Sequence, residues 1–257
     1  MLELKNVTKR YRGIPAVEDV SFRLEAGGVL GYLGPNGAGK STTVKMITGM
    51  IEPTHGQVLF HGRSIHDDLP GYRARLGYVP EEAQVYTHLS GLEYLQLAGR
   101  LRGMSEDAIE RKARGLLGIF GLRDVVEAPI SDYSKGMKQR VLLSAALLHD
   151  PELIVFDEPL SGLDAVTARL FKDLLVVLRR EGKAVLYISH VLEVVEQVCD
   201  RVIILAKGRV LADAAPRELV QMTELPTLER VFAQMVQQTD TAGVAEELVR
   251  VIQGHHA

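Results

Sequence analysis

The sequence predicts an α/β fold: a mainly parallel sheet, an N-terminal antiparallel β subdomain and an inserted helical subdomain. Three observations carry this expectation. Two continuous apolar runs, residues 153–156 and 184–188, read as strands buried on both faces, as in the middle of a parallel sheet. The first 30 residues instead hold short stretches of alternating polarity. Residues 89–148 change to a helical period and show no strand signal. The 257 residues suffice to bury a large core, and 46% apolar with 25% charged residues is ordinary for a globular protein.

Taken in order, residues 2–4 and 20–24 alternate as strands, the second before the Gly27-Gly28 turn. Between them Tyr11 stands in a polar stretch, and reads either as an edge-strand residue or as an aromatic that stacks on a base. Residues 29–33 are strand-like and 43–50 helix-like. A further strand covers 56–62; His55, His61 and His66 lie near it without a common ligand spacing. The strand at 76–80 is stopped by Pro80 and followed by Glu81 and Glu82.

Ser90 to Glu93 has the form of a capping box and opens a helix through Leu101. Ser105 caps a second helix from Glu106 to about Phe120, and a third covers 137–148. These make a helical insert over about 85–148. The apolar strand at 153–159 ends in the carboxylates Asp157 and Glu158. Asp164 caps a helix that runs to Arg180, with Gly182 as its stop. His190 sits just past the strand at 184–188. A short helix at 192–198, a strand at 202–205 and a turn at Lys207-Gly208 into 209–211 follow. The domain so defined spans 1–215. Beyond it, 216–257 reads as a C-terminal helical tail with candidate helices at 228–236 and 246–252, and with His255 and His256 at a frayed end.

The chemistry concentrates in GPNGAGKST, residues 34–42. A Gly, four residues, then Gly-Lys-Ser between a strand and a helix is the phosphate-loop pattern. Gly34, Gly37 and Gly39, with Pro35, Asn36 and Ala38 between them, let successive N–H groups converge on phosphate oxygens. Lys40 reaches the β- and γ-phosphates, the Ser41 hydroxyl suits Mg²⁺, and Thr42 continues into the helix whose positive end faces the anion. The core is therefore expected to be that of a P-loop NTPase, with one nucleotide site per chain. Ligands of open α/β sheets sit beyond the carboxyl ends of the strands, which places Asp157, Glu158 and His190 beside the loop.

A net charge of −3 argues against a general nucleic-acid binder, and the single cysteine, Cys199, fits a reducing compartment. No apolar run reaches bilayer length and the N-terminus lacks a signal-peptide core, so the chain is expected neither to span a membrane nor to be exported.

The ordered set of Tyr11, GPNGAGKS (34–41), YVPEE (78–82), YSKGMKQR (133–140), LIVFDEP (153–159), SGLD (161–164) and His190 resembles the ATP-binding subunit of ABC transporters over almost all of residues 1–215. Its YSKGMKQR form and helical tail look most like subunits that drive ABC-2-type exporters. The resemblance implies the following roles. Tyr11 stacks on adenine, Lys40 and Ser41 serve phosphates and Mg²⁺, and Asp157 holds the Mg²⁺ shell. Glu158 polarises the attacking water, with His190 contacting the γ-phosphate and that water. Ser134, Lys135 and Gly136 belong to the signature that grips ATP bound to the other subunit, and Asp164 lies where subunits touch. ATP with Mg²⁺ is thus implied as ligand, and two chains as a head-to-tail homodimer. A separate membrane-spanning subunit is implied as partner, with this chain peripheral on the cytoplasmic face.

Two departures stand out. Tyr133, Lys135 and Met137 replace the first, third and fifth residues of the usual Leu-Ser-Gly-Gly-Gln, and Glu81 replaces a glutamine that touches Mg²⁺. Glu81 adds negative charge near phosphate and Glu158 while keeping oxygen donors for metal and water. The alternative class is a soluble ATPase of the same type acting on ribosomes or DNA. Such proteins generally carry two cassettes or a long coiled coil, and neither is found here.

Overall fold

The structure is a computed structural model and describes residues 1–236. Two sheets form its frame. In the first, β2 (Ile14–Leu24), β1 (Leu2–Tyr11), β4 (His55–Phe60) and β5 (Arg63–Ser64) lie in that order, all antiparallel. In the second, the order is β10 (Arg209–Ala214), β9 (Arg201–Ala206), β3 (Val29–Leu33), β8 (Ala184–Ile188), β7 (Leu153–Asp157) and β6 (Leu76–Val79). Five of these strands run parallel and β10 alone is antiparallel, as the hairpin at Lys207-Gly208 requires.

The central strands β3, β7 and β8 are buried at every position. Alternate residues therefore serve two cores. Leu30, Tyr32, Val155 and Leu186 face the first sheet, where they meet Leu4, Val20 and Phe22, together with Met46 and Ile47 of α1 (Lys40–Ile47). Val29, Leu33, Ile154, Phe156, Val185 and Tyr187 face the other way. They pack on α6 (Ala165–Arg180), α7 (Leu192–Val198), α8 (Pro216–Thr223) and α9 (Leu228–Val236). The start of the tail is thus part of the core's cover, with Leu219, Leu228 and Val231 buried against it. The candidate helix at 246–252 and the two terminal histidines lie outside the described residues.

The helical insert has its own core. Leu92 and Leu95 of α3 (Gly91–Leu101), Ala113 and Leu117 of α4 (Glu106–Ile119) and Val141 of α5 (Lys135–Leu147) meet there. The capping box is present in full: Ser90 Oγ accepts from Glu93 N at 3.1 Å, and Ser90 N donates to Glu93 Oε2 at 2.8 Å. Ser105 holds the N-cap position of α4 but its hydroxyl takes no capping bond; Glu106 and Asp107 in the first turn favour that helix start through their charge.

Other expectations shift by a few residues. α5 begins at Lys135 rather than 137, because Ser134 Oγ accepts from Met137 N at 3.2 Å and caps it there. β7 ends at Asp157, so Glu158 belongs to the following turn. Tyr11 is the last residue of β1, which lies between β2 and β4; its pairing with β4 ends at Thr8, so at Tyr11 only β2 lies alongside, through Ile14. α2 (Leu69–Arg73), capped by Asp68, has no counterpart in the sequence-based reading.

Candidate active site

In the second sheet β3, β8 and β7 are consecutive neighbours, so the residues that follow their carboxyl ends meet. Behind β3 runs the loop of residues 34–39. A Cβ on Gly34 would stand 2.5 Å from the Leu205 carbonyl oxygen, and one on Gly39 would stand 2.6 Å from that of Ala16. Gly39 also has φ 108° at the N-cap of α1, a conformation side chains rarely allow. The loop can pack tightly on the backbones of β9 and β2 only with glycine at both places. No acidic residue occupies the first turn of α1, leaving its N–H groups and positive end to face an anion.

Lys40 Nζ donates to the carbonyls of Gly34 at 2.7 Å and Pro35 at 3.1 Å. Burial lowers its pKa, against the opposing pull of Glu158, Asp157 and Glu81. Its charge thus has two neutral acceptors and three nearby carboxylates. Ser41 and Thr42 follow on the same wall of a cavity of about 710 Å³, with Gly34, Pro35, Asn36, Gly37 and Gly39 as its floor. Ala38 is buried beneath the loop and does not reach the cavity.

Opposite stand the acids. Asp157, last residue of β7, is only 6% exposed, and its carboxyl is pushed up to about 7. Burial is the main cause, followed by the charges of Glu81 and Glu158, with Lys40 acting the other way. Glu81 reaches the same cavity from the turn after β6 and Pro80. Glu158 takes φ 48°, the left-handed region, and is tied by its N–H to the Ile188 carbonyl at 3.0 Å. That turn separates the two neighbouring carboxyls. Glu158 Oε2 meets His190 Nδ1 at 2.8 Å, with the Glu158 side chain 13% exposed and the imidazole 80% exposed. Ser41, Asp157 and Glu81 supply oxygen donors only, which suits a hard dication such as Mg²⁺. Among the described residues no group of three or more His, Cys, Asp or Glu could hold a metal.

Not every expected residue gathers here. Tyr11 is 47% exposed, with Lys9 Nζ 5.7 Å from its ring centroid, and lies outside the cavity wall. Ser134, Lys135 and Gly136 also stand away from this chain's own phosphate loop. They sit at the start of α5, fastened to the segment between β7 and α6. Gln139 Nε2 donates to the Pro159 carbonyl at 3.2 Å, and Arg140 pairs with Asp164 at 3.1 Å. A Cβ on Gly136 would come within 2.5 Å of the Gly162 carbonyl. Asp164 in turn caps α6 by accepting from Thr167 N at 2.8 Å. Four residues of the cavity wall were not anticipated: Ala16, Ser189, Leu192 and Phe232. Ser189 and Leu192 flank His190 and share its signal, whereas no local pattern points to Ala16 or Phe232.

The family model described as "ABC transporter" matches residues 17–161, more than half of the chain, including the loop and both carboxylates. The chain belongs to the ABC transporter family. It is an ATP-binding cassette of that family, and its relatives agree. It is 35% identical over 237 residues to the ABC transporter ATP-binding protein NatA of Bacillus subtilis (strain 168), covering 90% of this chain and 96% of that one. It is 32% identical over 254 residues to the Nod factor export ATP-binding protein I of Cupriavidus pinatubonensis (strain JMP 134 / LMG 1197), covering 95% and 78%. A solved ATP-binding subunit of an ABC transporter superposes with a TM-score of 0.86 at 33% identity, covering 91% of this chain and 99% of that one. A dimeric ATP-binding cassette in a post-hydrolysis state, bound to ADP and Pi, superposes with a TM-score of 0.78 at 28% identity, covering 84% and 98%. No helix among the described residues of this ABC cassette is long and apolar enough to cross a membrane.

Proposed function

We propose that this cassette binds ATP with Mg²⁺, pairs head to tail with a second copy, hydrolyses ATP at the paired interface, and so drives export through a separate membrane-spanning subunit. The observation that carries the hydrolytic part is the Glu158–His190 pair at 2.8 Å, at the same edge of the sheet as the phosphate loop. The dimeric part is supported by the signature residues lying outside their own cavity, where a nucleotide held by another chain could reach them. Export is supported by the likeness to the Nod factor export protein.

In this reading Lys40 leaves its two carbonyl acceptors for the β- and γ-phosphates, and the N–H groups of the loop and of α1 hold the remaining oxygens. Mg²⁺, held by Ser41 and Asp157 with Glu81 alongside, would supply charge neutralisation at the phosphates. Glu158 accepts a hydrogen bond from the attacking water and aligns its oxygen with the γ-phosphorus. The water oxygen bonds to the γ-phosphorus as the bond to the β–γ bridging oxygen breaks; the water's proton passes to a phosphate oxygen, and ADP and inorganic phosphate leave. His190, its Nδ1 engaged by Glu158, directs its other ring nitrogen to the phosphate and the water. Tyr11 stacks on adenine from beyond the cavity wall. Such transfer depends mostly on positioning and charge, which these groups supply.

Glu158→Gln tests this directly. It should keep ATP affinity, lower turnover by about 10² to 10⁴-fold, and accumulate as an ATP-bound dimer in light scattering. Wild-type hydrolysis rates in that variant would overturn the assignment of Glu158. Captured from native membranes with ATP and Mg²⁺, the same variant should bring a multi-spanning protein in stoichiometric amount; recovery of ribosomes or nucleic acid instead would withdraw the transport reading.

A further inference from the structure

The hydrolytic end of the cavity includes one residue from far along the chain. Phe232, on α9, shares that wall with His190 and Leu192. It lies well outside the residues 17–161 matched by the family model. α9 is anchored rather than loosely apposed: Leu228 and Val231 are fully buried against the face of the sheet that also carries Val185 and Tyr187 of β8. Leu228 N donates to Glu196 Oε2 of α7 at 3.3 Å, so α9 is also fastened to α7. Phe232 is half-buried one turn after Leu228 and packs on the same cluster as Leu192.

The dependence of His190 on this packing follows from the weakness of α7. That helix has seven residues, too few to be stable alone, and its N-cap is Val191, which offers no side-chain bond. Locally the turn after His190 is held by Val191 N to Ser189 Oγ at 3.1 Å, and the start of α7 by Val194 N and Val195 N to the Val191 carbonyl at 3.0 and 3.3 Å. The imidazole itself is 80% exposed, so its surroundings do not clamp it. What fixes the approach of His190 to Glu158 is therefore the direction in which α7 leaves the strand. That direction is set by Val194 and Val195, buried in the same core, and by what packs on Leu192 ahead of them.

We propose that Phe232 is a positioning residue for hydrolysis: its ring, with Leu192, braces the first turn of α7 and so holds His190 against Glu158. This inference rests on the hydrolytic reading given above. It makes α9 a working part of the site and ties the segment after β10 to the rate of turnover. Because the phosphate loop is built on β3 and α1, whereas α9 is fastened to α7, the brace affects the chemical step more than the grip on ATP.

Phe232→Ala should therefore lower kcat by about tenfold while leaving the KM and Kd for ATP within about twofold. Phe232→Leu, which restores apolar bulk, should return kcat to within about twofold of the wild type. A general loosening of the fold would instead reduce kcat, ATP affinity and melting temperature together, and that result would overturn the proposal, as would wild-type kcat in Phe232→Ala. If Phe232→Ala does not fold, Phe232→Gln takes its place, keeping length but not apolar contact. Low kcat with intact ATP affinity supports the brace and wild-type kcat overturns it. Failure of the brace alone leaves the wild type active and Glu158→Gln inactive. A wild-type chain that does not hydrolyse ATP removes the hydrolytic reading and the brace with it.

Discussion

Asp157 is an acid kept close to neutrality of charge by its surroundings. Its carboxyl titrates at about 7 because burial and the charges of Glu81 and Glu158 oppose ionisation, with only Lys40 in favour. The folded chain thus prefers the protonated form more than an unfolded chain does. That contribution to stability is fully present below about pH 4 and is lost as pH rises through about 7. Asp157→Asn removes the titration. In urea unfolding without nucleotide, the variant should gain stability over the wild type as pH rises across this window, by up to a few kcal/mol. Parallel stability curves for the two proteins would show that Asp157 ionises freely. The pairing of Asp157 with Glu158 was legible because an apolar strand ending in two carboxylates fits a sheet edge. The left-handed turn at Glu158, φ 48°, was not, since it arises from the hydrogen bond to Ile188 on another strand. Phe232 was hidden for a similar reason: nothing near it in sequence distinguishes an aromatic at a cavity wall from one in a helix's apolar stripe.

Helices with strong local signals appear where the sequence places them. α3, α6 and α7 match their expected ranges and α9 starts at Leu228 as expected, because a capping box, an Asp cap with a Gly stop, or a clear apolar stripe marks each. Elements that rely on tertiary contacts escape. α2 contains Pro70 and Gly71 and is secured by Tyr72, whose hydroxyl donates to the Ile47 carbonyl at 2.7 Å. β2 starts at Ile14-Pro15, a proline-bearing stretch that only its pairing with β1 makes a strand. Among the legible caps, Asp164 carries three loads, since it accepts from Thr167 N and Thr167 Oγ1 and pairs with Arg140. Asp164→Ala should cost about 1 kcal/mol through the lost cap, within a range of about 0.5–2. Asp164→Asn keeps the bond from Thr167 N and gives up the acceptor for Thr167 Oγ1 and the ion pair with Arg140, so it should lose less than Asp164→Ala. Thermal or urea denaturation separates the two; equal losses would mean that the cap is not what stabilises α6.

For the molecule as a whole, the frame of two sheets and a helical insert was legible from where the polarity pattern changes period. How the pieces dock was not, because docking depends on faces rather than on order along the chain. The signature residues are the clearest example: their spacing marks them, yet only the fold places them away from their own phosphate loop. Ser134→Ala accordingly should leave ATP binding by the single chain unchanged, and should also shift α5's start, since Ser134 is its cap. ATP-driven dimerisation should fall sharply in light scattering. A dimer forming at wild-type ATP concentrations would mean that Ser134 does not contribute to the interface.

The fastening of α5 to the segment after β7, through Gln139–Pro159, Gly136–Gly162 and Arg140–Asp164, bears on more than one chain. Glu158 begins that segment, and the signature ends of α5 rest upon it. In the proposed head-to-tail pair, each chain would carry its own water-orienting carboxylate and its neighbour's phosphate clamp on a single stiff lever. A shift at one Glu158 would then be felt at the nucleotide across the interface, and the two sites would keep time with one another rather than fire independently.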